Sequence, residues 1–198
     1  MITLYDFPLS GHCHRVRLFL SLIGLEYQRV ELDLLNGEHK QKPYIDINPL
    51  GLVPSLIDDD FVLRDSNAIL LYLAKKYAPD WYSDDVQTAS TIQQWLAKEA
   101  SQAPADARLV TVFGANKDHQ AAIEQSHAVL KIYDAQLAKN DWLAANKPTI
   151  ADVSAYSYIA HAPEGKVDLD NYPNVLAWLH RVENLPNFVG MQKTPVAA

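Results

Sequence analysis

The chain begins with two different hydrophobic patterns in succession. Residues 2–7 alternate between apolar and polar side chains, which is typical of a half-buried β-strand. Residues 16–23 place apolar side chains at helical spacing, so we predict a first helix that begins near Ser10 and ends at Gly24. Residues 27–34 form a second predicted strand. A strand, a helix and a strand within so few residues favour a right-handed parallel crossover.

The next stretch predicts a loop, a hairpin and a second helix. Residues 35–51 are polar and interrupted by glycine and proline, so we expect a loop with one short helix at most. Residues 53–57 and 61–63 are short predicted strands, joined by three aspartates into a hairpin. A helix over residues 67–77 follows, preceded by two candidate N-cap residues, Asp65 and Ser66.

Residues 78–86 separate two parts of different character. They are polar and contain proline, as linkers do. The predicted strands all come before them, whereas no later stretch alternates like a strand. We therefore expect an α/β domain over residues 1–78 and an all-helical domain over residues 87–198.

Four stretches of the second half carry the marks of helices. The first runs from residue 92 to about residue 113, and the second covers residues 123–137. Thr149 and Asp152 form a capping box at the start of the third helix. In it the Thr149 hydroxyl accepts a hydrogen bond from a backbone N–H of the first turn, and the Asp152 carboxylate accepts one from the N–H of Thr149. We assign this pair a structural role. Pro173 occupies the first turn of the fourth helix.

Composition narrows the function classes. The chain has 198 residues with 17 basic and 24 acidic side chains, and a net charge of −7 argues against a nucleic-acid-binding protein. A single cysteine excludes an internal disulfide and fits a reducing compartment, so we expect a cytoplasmic protein. The start of the chain has the pattern of a strand and lacks that of a signal peptide. Because the seven histidines are scattered, no metal site is predicted.

The candidate chemistry lies between the first strand and the first helix. The run from Ser10 to Cys13 has the spacing of a Cys-x-x-Cys motif with serine in the first place. Backbone N–H groups and the positive end of a helix dipole favour an anion there, and a thiolate is such an anion. The simpler interpretation of Ser10 is an N-cap worth about 1 kcal/mol. The nearby His12, His14 and Arg15 either line a cleft or face solvent.

Several motifs in this order resemble those of the glutathione S-transferases. They are PLSGHCHRVR, NGEHKQKPY, NPLGLVPSL, RDSNAILLYL, PTIADVSAY and YPNVLAWLHRVENLPNF, and together they cover nearly the whole chain. Serine-using bacterial, zeta and phi-like members are the most similar. The resemblance implies a thioredoxin-like N-terminal domain, an all-helical C-terminal domain and a cytosolic homodimer. It also implies an enzyme that joins the thiolate of its co-substrate glutathione to small electrophiles.

The resemblance assigns the catalytic role to Ser10, whose hydroxyl would donate to the sulfur of glutathione. Tyr5 is a rival hydroxyl on the first strand, where packing is the simpler role. A second function class, thiol-disulfide reduction or peroxide reduction by Cys13, is disfavoured because the catalytic cysteine of such relatives stands at the position of Ser10. A third class is a binding protein without catalysis, since the fold does not fix the function.

The resemblance also assigns glutathione-binding residues. Val53 and Pro54 match a cis-proline element whose backbone would pair with glutathione as an added strand. Asp65 and Ser66 match an acidic-Ser pair that holds the ammonium and carboxylate of the γ-glutamyl group. His39 and Lys40 match a His-Lys pair that holds the glycyl carboxylate in phi-like members. Relatives often carry glutamine or lysine directly before Val-Pro, and Leu52 stands there instead, which removes one polar contact.

Overall fold

The computed structural model describes residues 1–97 and 99–195. Its first part contains a four-stranded mixed sheet in the order β2-β1-β3-β4. The central strand β1 pairs in parallel with β2 and antiparallel with β3, and β3 pairs antiparallel with β4. The strands are β1 (Ile2–Asp6), β2 (Gln28–Glu31), β3 (Ser55–Asp58) and β4 (Phe61–Leu63). The predicted parallel crossover and hairpin are therefore confirmed.

Helices pack against this sheet and make up the second part. They are α1 (Gly11–Leu22), α2 (Tyr44–Ile47), α3 (Ser66–Tyr77), α4 (Val86–Leu96), α5 (Glu99–Phe113), α6 (His119–Leu137), α7 (Ile150–Ala160) and α8 (Pro173–Glu183). Short 3₁₀ turns lie at Glu38–Lys40, Pro79–Trp81 and Ala162–Gly165. This arrangement confirms a thioredoxin-like α/β part followed by an all-helical part. The exact domain boundary stays a prediction.

The predicted helix over residues 92–113 is wrong as a single element. The structure divides it into α4, which ends at Leu96, and α5, which begins at Glu99. The physical reason lies far away in sequence, because Asn67 Nδ2 donates to the Leu96 carbonyl oxygen at 2.7 Å. That bond satisfies a carbonyl that a continuous helix would have used. Helix α4 also begins at Val86, six residues before the predicted start at residue 92.

The core of the first part lies between the sheet and two helices. Leu4 of β1 faces Leu56 of β3 across the ladder, and both are fully buried. Helices α1 and α3 cover them with an apolar stripe. At about 25 cal/mol per Å² of buried apolar surface, each such leucine contributes roughly 1.5–3 kcal/mol. This packing fixes the start of α1 near the carboxyl end of the central strand β1.

Helix α7 is the centre of the second part, because its residues from Ile150 to Ile159 are all buried. The predicted capping box begins it: the N–H of Thr149 donates to Asp152 Oδ2 at 2.9 Å, and the N–H of Ala151 donates to Thr149 Oγ1 at 3.3 Å. The same helix packs against α1. The capping box therefore supports the surface on which the N-terminal helix rests.

His14 belongs to the core and not to a cleft. Its Nδ1 lies 2.8 Å from Ser157 Oγ on α7, and its Nε2 lies 2.9 Å from the Val189 carbonyl oxygen. Since a carbonyl only accepts, Nε2 carries the proton and Nδ1 accepts from the serine. Burial lowers the pKa of His14 to about 3, so the ring is neutral at neutral pH. It joins α1, α7 and the C-terminal segment.

Candidate functional site

Two adjoining cavities form a cleft between the α/β part and the helical part. The first has a volume of about 610 Å³ and is lined by the starts of α1 and α3, the turn at residues 53–54 and the end of α4. The second has a volume of about 350 Å³ and is lined by the start of α1, the loop at residues 34–39, α5 and α7. The cavities are continuous, because four residues line both: His12, Leu52, Val53 and Gln102.

Ser10 lies at the start of α1 and in the wall of the second cavity. It is the N-cap residue with extended backbone angles, and its Oγ accepts from the Cys13 N–H at 3.3 Å. The prediction that Ser10 is an N-cap is thus confirmed. A hydroxyl also has one proton to donate, so capping leaves its donor for a ligand. The backbone N–H groups of the first turn add a positive end to the same wall.

Gly11 allows α1 to approach the helical part closely. A Cβ built at this position would lie 2.7 Å from two ring carbons of Tyr158, which projects from α7. No L side chain fits that distance unless the ring moves. Tyr158 lines the second cavity beside Ser10. The glycine therefore sets the position of the catalytic candidate relative to the helical wall.

Cys13 is fully buried one turn into α1. Burial, followed by the nearby Asp6 carboxylate, raises the pKa of its thiol to about 12, against a smaller opposing effect of the Ser10 hydroxyl. The thiol is therefore protonated at neutral pH. The rival hydroxyl of Tyr5 belongs to a ring that packs on Tyr44 with centroids 5.4 Å apart, and Tyr5 lines neither cavity.

Val53 lines both cavities, Pro54 lines the first, and the peptide bond between them is cis. A hydrogen-bond network fixes the chain just before it. The Leu52 carbonyl oxygen accepts from the Tyr44 hydroxyl at 2.5 Å and from Asn48 Nδ2 at 2.7 Å. The sequence analysis did not identify Tyr44 and Asn48 as supports of this turn. A tyrosine and an asparagine beside buried positions in an otherwise polar loop were the signal that could have identified them.

Asp65 and Ser66 line the first cavity at the start of α3. The Asp65 Oδ1 accepts from the N–H groups of Asn67 and Ala68, both at 2.9 Å, so Asp65 is the N-cap. Its side chain is exposed to the cleft, whereas Ser66 is only 5% exposed. Capping uses one carboxylate oxygen, and the other oxygen is left to meet a cation.

Arg15 supplies positive charge behind Ser66. The side chain is 2% exposed and lines the first cavity, and its Nη1 donates to Asn67 Oδ1 at 3.0 Å and to Ser66 Oγ at 3.4 Å. Burial lowers the pKa of Arg15, yet a guanidinium remains charged at neutral pH. Together with the start of α3, it favours a carboxylate at this end of the cleft. Sequence reasoning left this arginine undecided.

The comparisons with known proteins agree with this geometry. Residues 1–75 match the sequence model of the glutathione S-transferase N-terminal domain, and residues 95–186 match that of the C-terminal domain. The chain belongs to the glutathione S-transferase family. This membership confirms the resemblance, the fold and, at the level of the family, a transferase enzyme. The narrower assignment to serine-using, phi-like members stays a prediction.

Individual relatives match over nearly the whole chain. Glutathione S-transferase 3 of Zea mays is 33% identical over 99% of this chain and 94% of its own length. A glutathione S-transferase structure from Pseudomonas fluorescens has a TM-score of 0.90 at 28% identity, with 97% of this chain and 99% of that chain covered. The glutathione transferase URE2P6 of Phanerochaete chrysosporium, in complex with oxidised glutathione, has a TM-score of 0.85 at 28% identity, covering 94% and 92%.

Within this glutathione S-transferase fold, the two residues assigned to the glycyl carboxylate take different positions. His39 lines the second cavity, and burial followed by the charge of Lys40 holds its pKa below the usual range. Lys40 lines neither cavity, and its Nζ donates to the carbonyl oxygens of Leu50 at 3.1 Å and Gly51 at 2.7 Å. The structure thus places only His39 at the cleft, and Lys40 braces the turn before the cis-proline.

Leu52 stands where relatives often carry glutamine or lysine. Its apolar side chain is 56% exposed and lines both cavities.

No helix in the described ranges, 1–97 and 99–195, has the length and apolar character needed to cross a membrane. In the same ranges, His, Cys, Asp and Glu side chains do not gather in threes as a metal site would need.

Proposed function

We propose that this protein joins the thiolate of glutathione to small electrophiles. The observation that carries the proposal is the continuity of the cleft, with Val53 at the passage between a polar cavity and a more apolar one and Ser10 in the wall of the more apolar one. The polar cavity suits a charged peptide, and the apolar cavity suits an electrophile. Holding both reactants side by side supplies proximity, which can lower a barrier by several kcal/mol.

The first cavity offers a complementary partner for each charged group of a γ-glutamyl unit. The Asp65 carboxylate would pair with the ammonium, while Ser66, the start of α3 and the charge of Arg15 would receive the carboxylate. The backbone of Val53 would pair with the peptide in the manner of an added strand. Beyond the passage at Val53, His39 in the wall of the second cavity would donate an N–H to the glycyl carboxylate.

The Ser10 hydroxyl would then activate the thiol. A free thiol has a pKa of about 8.5, so only a few per cent is thiolate at neutral pH. Lowering that pKa by about 2 units requires about 2.7 kcal/mol of preferential stabilisation of the anion. A hydroxyl donor and the N–H groups at the start of α1 together supply energies of this size.

Replacing Asp65 by alanine is expected to weaken glutathione binding by about 1.5–3 kcal/mol, the value of a hydrogen bond to a charged group. Titration calorimetry measures the loss. The Asp65→Asn variant keeps an N-cap of equal quality but removes the charge, so it should lose most of the same affinity. Asp85→Ala removes a comparable exposed cap, on α4 and outside both cavities, and should leave binding unchanged.

Calorimetry that detects no glutathione binding by the wild-type protein up to millimolar concentration would end the binding proposal. Binding without turnover of any electrophile would instead support the alternative of a binding protein without catalysis. Thiol-disulfide chemistry at Cys13 gains nothing from the structure, because that thiol is buried and protonated.

We also propose that the protein works as a homodimer in the reducing cytoplasm, as its single cysteine and its family suggest. A stable dimer interface of this kind buries about 1,600 Å² or more. Sedimentation at micromolar concentration should give twice the mass of the chain, and the mass of one chain would contradict the proposal.

A further inference from the structure

The peptide group between Leu9 and Ser10 is held at both ends. On one side the Ser10 N–H donates to the Phe7 carbonyl oxygen at 3.0 Å, which closes a tight turn. On the other side the Leu9 carbonyl oxygen accepts from Arg108 Nη1 at 2.9 Å. Because a peptide group is planar, bonds at its C=O and its N–H fix the rotation of the plane, and with it the direction in which the Ser10 side chain leaves the backbone. The second bond comes from α5, 99 positions along the chain.

Arg108 has little freedom of its own. The side chain is 2% exposed, and its Nε donates to Glu164 Oε2 at 2.7 Å. Its guanidinium carbon lies 5.8 Å from the centre of the Phe113 ring, within the range of a cation–π contact. Nε and Nη1 belong to one rigid plane, so the bond to Glu164 also determines where Nη1 points. The donor that meets the Leu9 carbonyl oxygen is therefore set by Glu164.

Glu164 is in turn anchored by two further groups. Burial alone would raise the pKa of Glu164, but hydrogen bonds from Thr194, His161 and Arg108 outweigh it and hold the pKa at about 2, so the carboxylate is ionised at neutral pH. The His161 Nδ1 lies 2.6 Å from Oε1, and the Thr194 N–H donates to the same oxygen at 3.2 Å. Gly165 allows this turn to lie against α5, because a Cβ there would come within 2.7 Å of the Arg108 backbone nitrogen.

We infer that Arg108, held by Glu164, is a positioning residue for Ser10 and acts through the Leu9 carbonyl oxygen. This inference rests on the proposed activation of the glutathione thiol by Ser10. Arg108 needs no contact with a ligand for this role, because its effect reaches the cleft through the backbone. A hydroxyl that stabilises a thiolate must point at the sulfur, and a misplacement of about 1 Å can lower a rate on the order of 100-fold.

The bonds within α1 do not fix the Ser10 hydroxyl by themselves. Its Oγ accepts from the Cys13 N–H at 3.3 Å, which is longer than most N–H···O hydrogen bonds and constrains the hydroxyl weakly. Two other roles for Arg108 make different predictions. A bond that only joins the two parts of the chain would affect stability and leave the thiol pKa unchanged. A charge that acts directly on the sulfur would keep its effect after the Ser10 hydroxyl is removed.

The test measures the pKa of the bound glutathione thiol, by ultraviolet absorbance against pH, in the wild-type protein, Arg108→Lys, Ser10→Ala and the double variant. Lysine keeps a positive charge for Glu164 but replaces a rigid plane of donors by one nitrogen on a flexible stem. We expect Arg108→Lys to raise the thiol pKa by about one unit, which lowers the thiolate fraction and the conjugation rate roughly fivefold at the wild-type thiol pKa. In the Ser10→Ala background the same change should move the thiol pKa by less than about 0.3 units, because the hydroxyl through which Arg108 acts is gone.

Arg181→Lys is the matched control. The Arg181 Nε also donates to a backbone carbonyl oxygen, that of Asp141 at 3.1 Å, but outside both cavities, so this variant should leave the thiol pKa and the rate unchanged. An unchanged thiol pKa in Arg108→Lys would make its bond to Leu9 merely structural and would overturn the inference. An equal rise with and without the Ser10 hydroxyl would assign the effect to the charge and would overturn it too.

Glu164→Gln is the second variant, and it decides by the same criteria if Arg108→Lys does not fold. Glutamine keeps an acceptor for Arg108 but removes the negative charge that holds the guanidinium. We expect a rise of the thiol pKa in the same direction, smaller than in Arg108→Lys and again absent in the Ser10→Ala background.

A further measurement needs no glutathione. Hydrogen exchange followed by mass spectrometry reports the opening of the turn at residues 7–13. In Arg108→Lys the exchange of this peptide should accelerate about tenfold, the effect of losing one hydrogen bond, while the peptides of α8 should exchange as in the wild type. Unchanged exchange at residues 7–13 would overturn the inference. If the wild-type protein bound no glutathione while the exchange responded as expected, the result would count against the proposed function and would support the positioning of Ser10 by Arg108.

Discussion

Replacing Asp152 by alanine is expected to lower the free energy of unfolding by about 3–5 kcal/mol. This buried carboxylate accepts four hydrogen bonds: from the N–H of Leu143 at 3.0 Å, from Trp178 Nε1 at 3.0 Å, and from the N–H and the hydroxyl of Thr149 at 2.9 and 3.2 Å. Alanine would leave four donors without an acceptor, and most of them are buried. Because a protein has a net stability of only about 5–15 kcal/mol, this loss is a large share of it.

Denaturant unfolding followed by circular dichroism measures the change, and the midpoint of thermal unfolding should fall by roughly 10 °C. The matched control is Asp118→Ala, which removes the exposed N-cap residue of α6. Among the described residues, the Asp118 side chain accepts one hydrogen bond, from the Ala121 N–H to Oδ1. That change should cost about 1 kcal/mol. Equal losses in the two variants would contradict the central role of Asp152, since its network would then be worth no more than an ordinary cap.

The capping residues show which features local sequence could predict. Ser10, Asp65 and Thr149 all stand within three residues of the backbone groups that they satisfy. A bond of that range depends on chain geometry that the sequence already specifies, so the starts of α1, α3 and α7 were predicted closely. The two strands of the hairpin, β3 and β4, are also close in sequence, so their pairing could be predicted in the same way. The same reasoning predicted the capping box as structural, and the structure confirms the geometry.

Partners that are distant in sequence explain what could not be predicted. Arg15 contacts Ser66 and Asn67 more than fifty positions later, and Asn67 in turn ends α4 through Leu96. Periodicity describes one helix at a time and contains no information about which face meets another element. One signal was available nonetheless, because Arg15 shares the helix face of Leu18 and other apolar residues at spacings of three and four.

The interpretation of the first helical turn also depended on tertiary contacts. The sequence placed Ser10 and Cys13 in one motif near the positive end of α1, and the family resemblance favoured Ser10. The fold separates them: Ser10 lines the second cavity, while the thiol of Cys13 is turned away into the core. A pKa of about 12 follows from that burial and not from the sequence motif.

The Ser10→Ala variant is therefore expected to lose turnover at neutral pH by 10- to 150-fold. The loss corresponds to a hydrogen bond of about 1.5–3 kcal/mol to a charged sulfur. The pKa of the bound glutathione thiol should rise toward the free value of about 8.5, so part of the lost rate should return as the pH is raised above that value. Ultraviolet absorbance of the thiolate against pH, together with conjugation rates, measures both effects.

Removal of Ser10 also removes a cap, and two control variants separate the effects. Ser10→Thr keeps a hydroxyl that can both cap and donate, so it should retain a low thiol pKa. Ser10→Gly lowers helix stability by only a few tenths of a kcal/mol but has no hydroxyl, so it should lose as much activity as alanine does. A rate that follows the hydroxyl across these variants, and not the stability of the fold, assigns the activation to Ser10.

Cys13→Ala provides the opposing control at the same helix. Its buried, protonated thiol has no part in the proposed chemistry, so conjugation rates and the pH dependence of the bound thiolate should remain near those of the wild type. Stability should fall by about 1 kcal/mol or less for the small cavity that is left. If Cys13→Ala abolished activity while Ser10→Ala left both the thiol pKa and the rate unchanged, the assignment would be wrong. Thiol-disulfide chemistry at Cys13 would then take its place, despite the burial of that thiol.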